Sequence, residues 1–372
     1  PYHGVSRTGY PFFQSIGFSE QVKSVEKIND YEVIFRLARK DASFLSNLAT
    51  DFAVILSSEY AEQQLALGHP ENVDHFAIGT GPFTLVHYAK NEYIRYRRNP
   101  DFWGEPANVE MLVYDITPKS TVRLAKLIAG DCSVSALPKA GELPVIKQHE
   151  QLNIESQPGL NVAFWAFNTQ KAPLNDVRVR RALAHAVDKQ NILRAVYQNT
   201  AIEAIGVLPP ASWAYDSNKK LLDYNPQKAR DLLKEVGISN LSIDIWAMPV
   251  ARAYNPNALK TAELIQSDLA NIGVKVNIIS YDWSVFTQRL SRDEYDSVLI
   301  GWNADNSDPD NFFTPLLSCA SMQSNNNRSR WCNKQFDTIL DRAREVSTQA
   351  ERKQIYQEAE AFIAEQVPML SL

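Results

Sequence analysis

Asp305 and Arg252 are charged residues set among aromatics. Asp305 closes Gly301-Trp302-Asn303-Ala304-Asp305, and Arg252 lies between Trp246 and Tyr254. A carboxylate accepts charge-assisted hydrogen bonds from an ammonium group, and a guanidinium matches the fork of a carboxylate. Together they could hold the two poles of a zwitterion, with Trp302, Asn303, Trp246 and Tyr254 lining the place where it lies. The alternative is two unrelated surface charges beside packing aromatics. Asp305, Asp308 and Asp310, with Asn306 among them, resemble a calcium loop at first sight. The turn glycine and the terminal glutamate are missing and Pro309 interrupts, so an acidic turn after a strand is the better reading.

Signatures of catalysis are absent. The six histidines (His3, His69, His75, His87, His149 and His185) are scattered, without an HExxH spacing. His185 lies among Ala182, Leu183 and Ala186 and reads as a packed structural histidine. Gly4-Val5-Ser6-Arg7-Thr8-Gly9 is one residue away from a nucleophile elbow and follows no strand. No glycine-rich dinucleotide loop follows a strand, and no phosphate loop occurs. The sequence therefore predicts a protein that is not an enzyme and has no metal site; a secreted hydrolase of unfamiliar motif is the remote rival.

Three cysteines bear on the compartment. Cys319 and Cys332 bracket a loop rich in Ser and Asn. A bridge there would restrict the unfolded chain by about 3 kcal/mol and would persist only outside a reducing cytosol. Three unrelated buried thiols are the alternative. Cys132 has no evident mate. No CxxC pair occurs, which argues against zinc and against thioredoxin-like chemistry.

The elements that must position these residues follow from hydropathy. The 372 residues predict roughly two or three domains. With 45% hydrophobic and 22% charged residues, the composition excludes a disordered or collagen-like chain. A net charge of −5 gives no reason to expect a nucleic-acid partner. The longest apolar run, Val162 to Phe167, is far short of the roughly 18 residues of a membrane span. No targeting segment opens the chain, and Val367–Leu372 ends it on a strand pattern, so the expectation is a piece of a longer protein. Val22–Leu37 reads as a half-buried hairpin turning at Asn29-Asp30. Strands are expected after Gly79-Thr80-Gly81-Pro82-Phe83, at Tyr93–Arg98 and at Met111–Ile116. From about Asn168 helices and strands alternate. One helix carries Ala182, Leu183, Ala186, Val187 and Leu193; another opens at Asn225-Pro226 and closes at Gly237. Strand Leu241–Trp246, helix Leu259–Ile272, strand Val274–Ile279, helix Trp283–Leu290 and strand Ser297–Trp302 follow, then a last helix, Glu351–Glu365. This order implies parallel strands with crossover helices. The loops carrying Arg252 and Asp305 would then leave the same edge of the sheet, where open α/β sheets bind ligands.

These residues also carry a resemblance. Gly79-Thr80-Gly81-Pro82-Phe83, Asn99-Pro100-Asp101-Phe102-Trp103, Tyr224-Asn225-Pro226-Gln227-Lys228-Ala229, Gly301-Trp302-Asn303-Ala304-Asp305 and Ser329-Arg330-Trp331-Cys332 run nearly end to end. They resemble the periplasmic dipeptide- and oligopeptide-binding proteins of ABC importers (solute-binding protein family 5). Leu208-Pro209-Pro210-Ala211-Ser212-Trp213 and Asp308-Pro309-Asp310-Asn311-Phe312-Phe313 look most like the Sap-type receptors linked to antimicrobial-peptide uptake.

The resemblance implies an α/β fold of the periplasmic-binding-protein type, class II, with three lobes, truncated here at both ends. Residues 1–75 would be the remainder of the small second lobe and 76–165 part of lobe I. Residues 166–366 would form lobe III, and 367–372 would begin the return to lobe I. The ligand would lie between lobes. Asp305 would receive a peptide's amino group and Arg252 its carboxylate, with Trp302 as a pocket wall. Cys319 and Cys332 would form a disulfide, and Cys132 would pair with a cysteine outside this chain. The implied partners are peptides, including cationic antimicrobial peptides, and an inner-membrane permease. The protein would be periplasmic, monomeric and without a resident cofactor; haem is the alternative transported ligand.

Overall fold

The computed structural model describes residues 16–218, 222–322 and 324–372. The Gly4–Gly9 motif and His3 lie outside them. Among the described residues the strands in chain order are β1 (Val22–Asn29), β2 (Glu32–Leu37), β3 (Phe83–Ala89), β4 (Tyr93–Arg98), β5 (Met111–Asp115), β6 (Asn161–Phe167), β7 (Ser242–Ala247), β8 (Lys275–Ile279), β9 (Ser297–Asn303) and β10 (Met369–Ser371). No described helix is long and apolar enough to cross a membrane.

The chain forms two compact units. One contains residues 51–154 and is built on the antiparallel meander β3-β4-β5. Its first turn passes through Asn91 in the left-handed conformation, φ 67°, which a short polar side chain tolerates. The Ser120–Ala129 helix of this unit ends at Gly130. Lys126 on that helix bonds Asp115 at the end of β5, 2.7 Å away. Cys132 follows as a free, half-buried thiol. Among the described residues, the apolar side chains fully buried in this unit are Ala61, Val73 and Ile146, a thin core.

The other unit comprises residues 16–50 and 155–372, as described. Its sheet has the order β10-β6-β9-β7-β8, with β7 parallel to both β8 and β9. β6 runs antiparallel to β9 and to β10. The apolar run that begins at Val162 becomes β6, whose residues 162–167 are all buried. That burial is what a central strand covered on both faces requires. Hairpin β1-β2 belongs to this unit. Ala42 donates to the carbonyl of Arg344 (2.8 Å) and Arg39 pairs with Asp341 (2.7 Å), which tie residues 39–42 to the Lys334–Glu345 helix. The hairpin is less buried than its alternation implies: Phe35 and Leu37 are half-buried, whereas Tyr31 and Val33 are exposed.

Local signals set most boundaries. Asn225 accepts from Lys228 N–H and Pro226 occupies the first turn of the Pro226–Glu235 helix, which stops before Gly237 at φ 73°. The single helix expected through Leu193 is two helices, Val177–His185 and Lys189–Val196. Asp188 breaks it: its side chain accepts from Asn191 N–H while its own N–H goes to Asp268. At the other end of the unit, Arg180 is buried and donates to the carbonyls of Leu174, Gln366 and Val367. Burial pushes its pKa down to about 10. These bonds close the Gln349–Gln366 helix and turn Val367 into the left-handed conformation, so that the next residues enter β10. β6 and β10, which the resemblance placed at the border of lobe I, are therefore strands of this sheet.

Asp308 and Asp310, expected in an acidic turn after a strand, have a further role. Both are buried and neither belongs to a cation loop. Asp308 takes a two-pronged pair from Arg352, 2.8 and 2.9 Å, with Tyr356 hydroxyl bonded to the same guanidinium at 2.8 Å. Asp310 pairs with Arg344 at 3.2 Å and accepts from Thr314 at 2.9 Å. Burial is the largest influence on Arg352 and opposes its charge, but Asp308 and Tyr356 together outweigh it, and its pKa lies above the ordinary arginine range. The two pairs fasten the Asp310–Leu317 helix to the Lys334–Glu345 and Gln349–Gln366 helices. Cys319 and Cys332 are disulfide-bonded just beyond it. Among the described residues no group of His, Cys, Asp and Glu side chains is placed to hold a metal ion.

Removing one member of a buried pair strands the other charge, typically at a cost of about 3–5 kcal/mol. Arg352→Met is expected to lower urea-unfolding stability by that amount, with Asp308→Leu in the same chain restoring much of it. A single variant within about 0.5 kcal/mol of the parent, the range of ordinary surface changes, would show that the pair does not hold these helices.

Candidate binding edge of the larger unit

Because β7 and β9 are parallel and adjacent, the chain leaves both at the same sheet edge. β7 ends at Ala247, opposite Leu299, and β9 continues to Asn303. Over this extension β9 is paired with β6 alone, Val162 against Trp302 and Asn161 against Asn303. The loop after β7 fills the vacated flank. A Cβ on Gly301 would lie 2.3 Å from the Tyr254 ring and 2.5 Å from the Val162 carbonyl. Only glycine admits this approach. The Tyr254–Gly301 contact therefore brings the Arg252 loop against the strand that carries Trp302 and leads to Asp305.

That loop is held from several sides. Arg252 and Asn255 exchange backbone bonds of 2.9 and 3.1 Å. Asn255 is fully buried, and its side chain bonds Thr261 and accepts from Asn257 N–H. Tyr197 hydroxyl donates to the Tyr254 carbonyl at 2.7 Å. Burial raises the Tyr254 phenol above its ordinary pKa, and the nearby Arg252 guanidinium partly offsets this. Arg252 is exposed, with its guanidinium 4.6 Å from the centre of the Trp283 ring. Trp283 in turn stacks on buried Phe286. A guanidinium held by its face on an aromatic ring is pre-oriented in its plane. Trp283 was not anticipated. Its signal, an aromatic just after β8 at the same edge, is visible in the strand order once β8 is known to neighbour β7.

Asp305 is half-buried two residues past β9. Asn311, buried at 3% exposure, donates from Nδ2 to Asp305 Oδ2 at 3.1 Å. Its Oδ1 accepts from Asp305 N–H at 2.9 Å and from Trp302 Nε1–H at 3.0 Å. Trp302 and Asp305 thus share one partner. Asn306 bonds Asn47 at 3.2 Å, tethering the same turn to the segment after the hairpin. Asn303 is exposed, in register with Asn161. Trp246 differs from the expectation of a lining residue. It is buried against Tyr281, Phe286 and Tyr295, with ring centroids 5.3–6.0 Å away, and supports the edge from within.

The edge can therefore present an oriented carboxylate, an oriented guanidinium and an indole on neighbouring loops of one compact unit. Gly301→Ala forces a methyl group into the Tyr254 ring and the Val162 carbonyl. It should cost about 1–3 kcal/mol in thermal or urea unfolding, as overpacking does. A variant as stable as the parent would show that the contact yields without cost.

Residues 3–324 match the model of the bacterial extracellular solute-binding proteins, family 5. The chain is 43% identical to the dipeptide-binding protein of Escherichia coli K12, over all of this chain and 69% of that protein. It is 42% identical to the probable ABC transporter periplasmic-binding protein SapA of the same organism, again over all of this chain and 68% of that protein. The likeness extends to both types of receptor. Among solved structures, the dipeptide-binding protein of Pseudoalteromonas sp. SM9913 in complex with Met-Leu superposes with a TM-score of 0.93. It has 44% identity and covers 100% of this chain and 73% of that one. With its parallel-stranded unit, its disulfide and its sheet-edge loops, this chain belongs to the bacterial extracellular solute-binding proteins of family 5.

Proposed function

We propose that this chain is the ligand-gripping portion of a periplasmic receptor that captures short peptides and delivers them to an inner-membrane ABC permease. Asp305 receives the peptide's ammonium group, Arg252 its terminal carboxylate, and Trp302 covers the apolar stretch beside the amino end. The observation that carries the reading is the oriented carboxylate: Asp305 sits half-buried at the edge of the parallel strands, fixed through Asn311. An oriented carboxylate matches an ammonium group, and the stacked guanidinium on the adjacent loop matches a carboxylate. The similarity to dipeptide-binding proteins supports peptides as the ligand class. The loops after β7, β8 and β9 carry no His or Cys through residues 248–257, 280–283 and 304–309. They therefore offer neither a histidine nor a cysteine as a haem ligand, and the similarity to dipeptide-binding proteins favours peptides. Membership of a solute-binding family favours a receptor over a hydrolase.

Truncating one member of a desolvated charge pair typically costs about 2–5 kcal/mol of binding. In calorimetric titrations of the full-length protein, Asp305→Asn is expected to weaken a free-amino dipeptide by that amount. Acetylating the dipeptide's amino group should produce a similar loss in the parent. An unchanged dissociation constant in both experiments would contradict the assignment. A Soret shift on adding haem, competed by the dipeptide, would move the ligand class from peptide to haem.

A further inference from the structure

We infer that Asn311 is a positioning residue of this binding edge, setting the Asp305 carboxylate and the Trp302 ring in a single geometry so that they act on the ligand together. The inference rests on the reading of Asp305 as the ammonium acceptor. It adds a specificity-determining residue that does not itself touch the ligand.

The chemistry of the three bonds fixes the orientation of the Asn311 amide. Trp302 Nε1 and Asp305 N are donors only, so both must meet Oδ1, and they do so at 3.0 and 2.9 Å. Nδ2 is thereby turned toward Asp305 Oδ2, at 3.1 Å. The amide cannot flip without placing N–H against N–H twice. The bond it gives to the carboxylate comes from a neutral donor, so it orients the carboxylate without cancelling its charge, as a lysine or arginine at this position would. It also couples two unlike recognition elements: rotating the indole or the carboxylate breaks a bond to the same buried side chain.

Asn311 is itself held in place. It is the second residue of the Asp310–Leu317 helix, with Asp310 gripped by Arg344 and Asp308 by Arg352 on either side of Pro309. Two buried ion pairs thus flank the first turn of a helix whose second residue reaches back to β9. A residue needed only to close the Asp305 turn would not have to engage the tryptophan as well.

The test is a double-mutant cycle in the full-length protein. Titrations use a free-amino dipeptide and its amino-acetylated form, and thermal unfolding is measured alongside. Asn311→Ala is expected to weaken the free-amino dipeptide by about 10–100-fold, the range for losing a hydrogen bond to a charged group. The acetylated dipeptide should change by less than about threefold. In the Asp305→Asn background, removing Asn311 should add only the smaller loss, about threefold, that comes from releasing the Trp302 ring, because the carboxylate it orients is already gone. Asn311→Asp provides a variant that retains an acceptor for Trp302 Nε1–H and Asp305 N–H. It sets two carboxylates face to face, and such pairs share a proton. Its affinity for the free-amino dipeptide should therefore rise between pH 5 and 8 more steeply than that of the parent.

Equal losses for both dipeptides on Asn311→Ala would overturn the inference, as would a loss fully additive with Asp305→Asn. A merely structural role predicts those results, together with no new pH dependence in Asn311→Asp. If Asp305→Asn weakens the free-amino dipeptide and Asn311→Ala does not, only the role of Asn311 fails. If Asp305→Asn itself has no effect, the ammonium assignment and this inference fail together.

Discussion

Two buried, ion-paired carboxylates determine where the candidate ligand-binding one stands. Asp308 and Asp310 meet Arg352 and Arg344 in the interior of the larger unit. Their bonds dictate how the chain leaves β9 and starts the next helix. Replacing such pairs by apolar residues often costs little, so their presence speaks for specificity of arrangement more than for stability. What they specify here is the placement of the helix that bears Asn311, and through Asn311 the orientation of Asp305 and Trp302.

The other half of the edge is set by a missing side chain. Gly301 lets the Tyr254 ring lie directly on β9, where a methyl group would not fit. Parallel pairing of β7 and β9 sends both loops to one edge, and the glycine allows them to meet there. Arg252 is then fixed by its stack on Trp283, which rests on the core through Phe286. A neutral neighbour helps to orient each charged group of the proposed grip, an amide at Asp305 and an indole at Arg252. Orientation of this kind lowers the ordering cost of binding.

The architecture of the larger unit was legible because its signals are local. Asn225-Pro226 and Gly237 bracket their helix, and the alternation of strands and helices implied the parallel pairing that β7, β8 and β9 adopt. The Asp310–Leu317 helix was not legible: Pro315 lies within it, and an interior proline argues against a helix from sequence. The partners of Asp310 and Asp308 lie 34 and 44 residues away, so nothing near them marked these aspartates as buried. The inward packing of Trp246, expected as a lining residue, was hidden for the same kind of reason. A tryptophan at a strand end can turn to the core or to the ligand, and only the neighbouring Tyr281, Phe286 and Tyr295 decide that it turns inward. Asn311 carried no signal of its own, since an Asn early in a helix is ordinarily read as local capping.

The central claim is that an ionised carboxylate at the edge of the parallel strands receives a cation. The most direct measurement is the dissociation constant of an uncharged-side-chain dipeptide across pH 6 to 9.5, in full-length protein. A free peptide's amino group titrates near pH 8, and a site that demands the ammonium form raises that value in the bound state. Binding should therefore hold level to about pH 7.5 and then weaken by about tenfold per pH unit, as linkage requires. Affinity that stays constant through pH 9.5 would mean that no carboxylate grips the charged amino group.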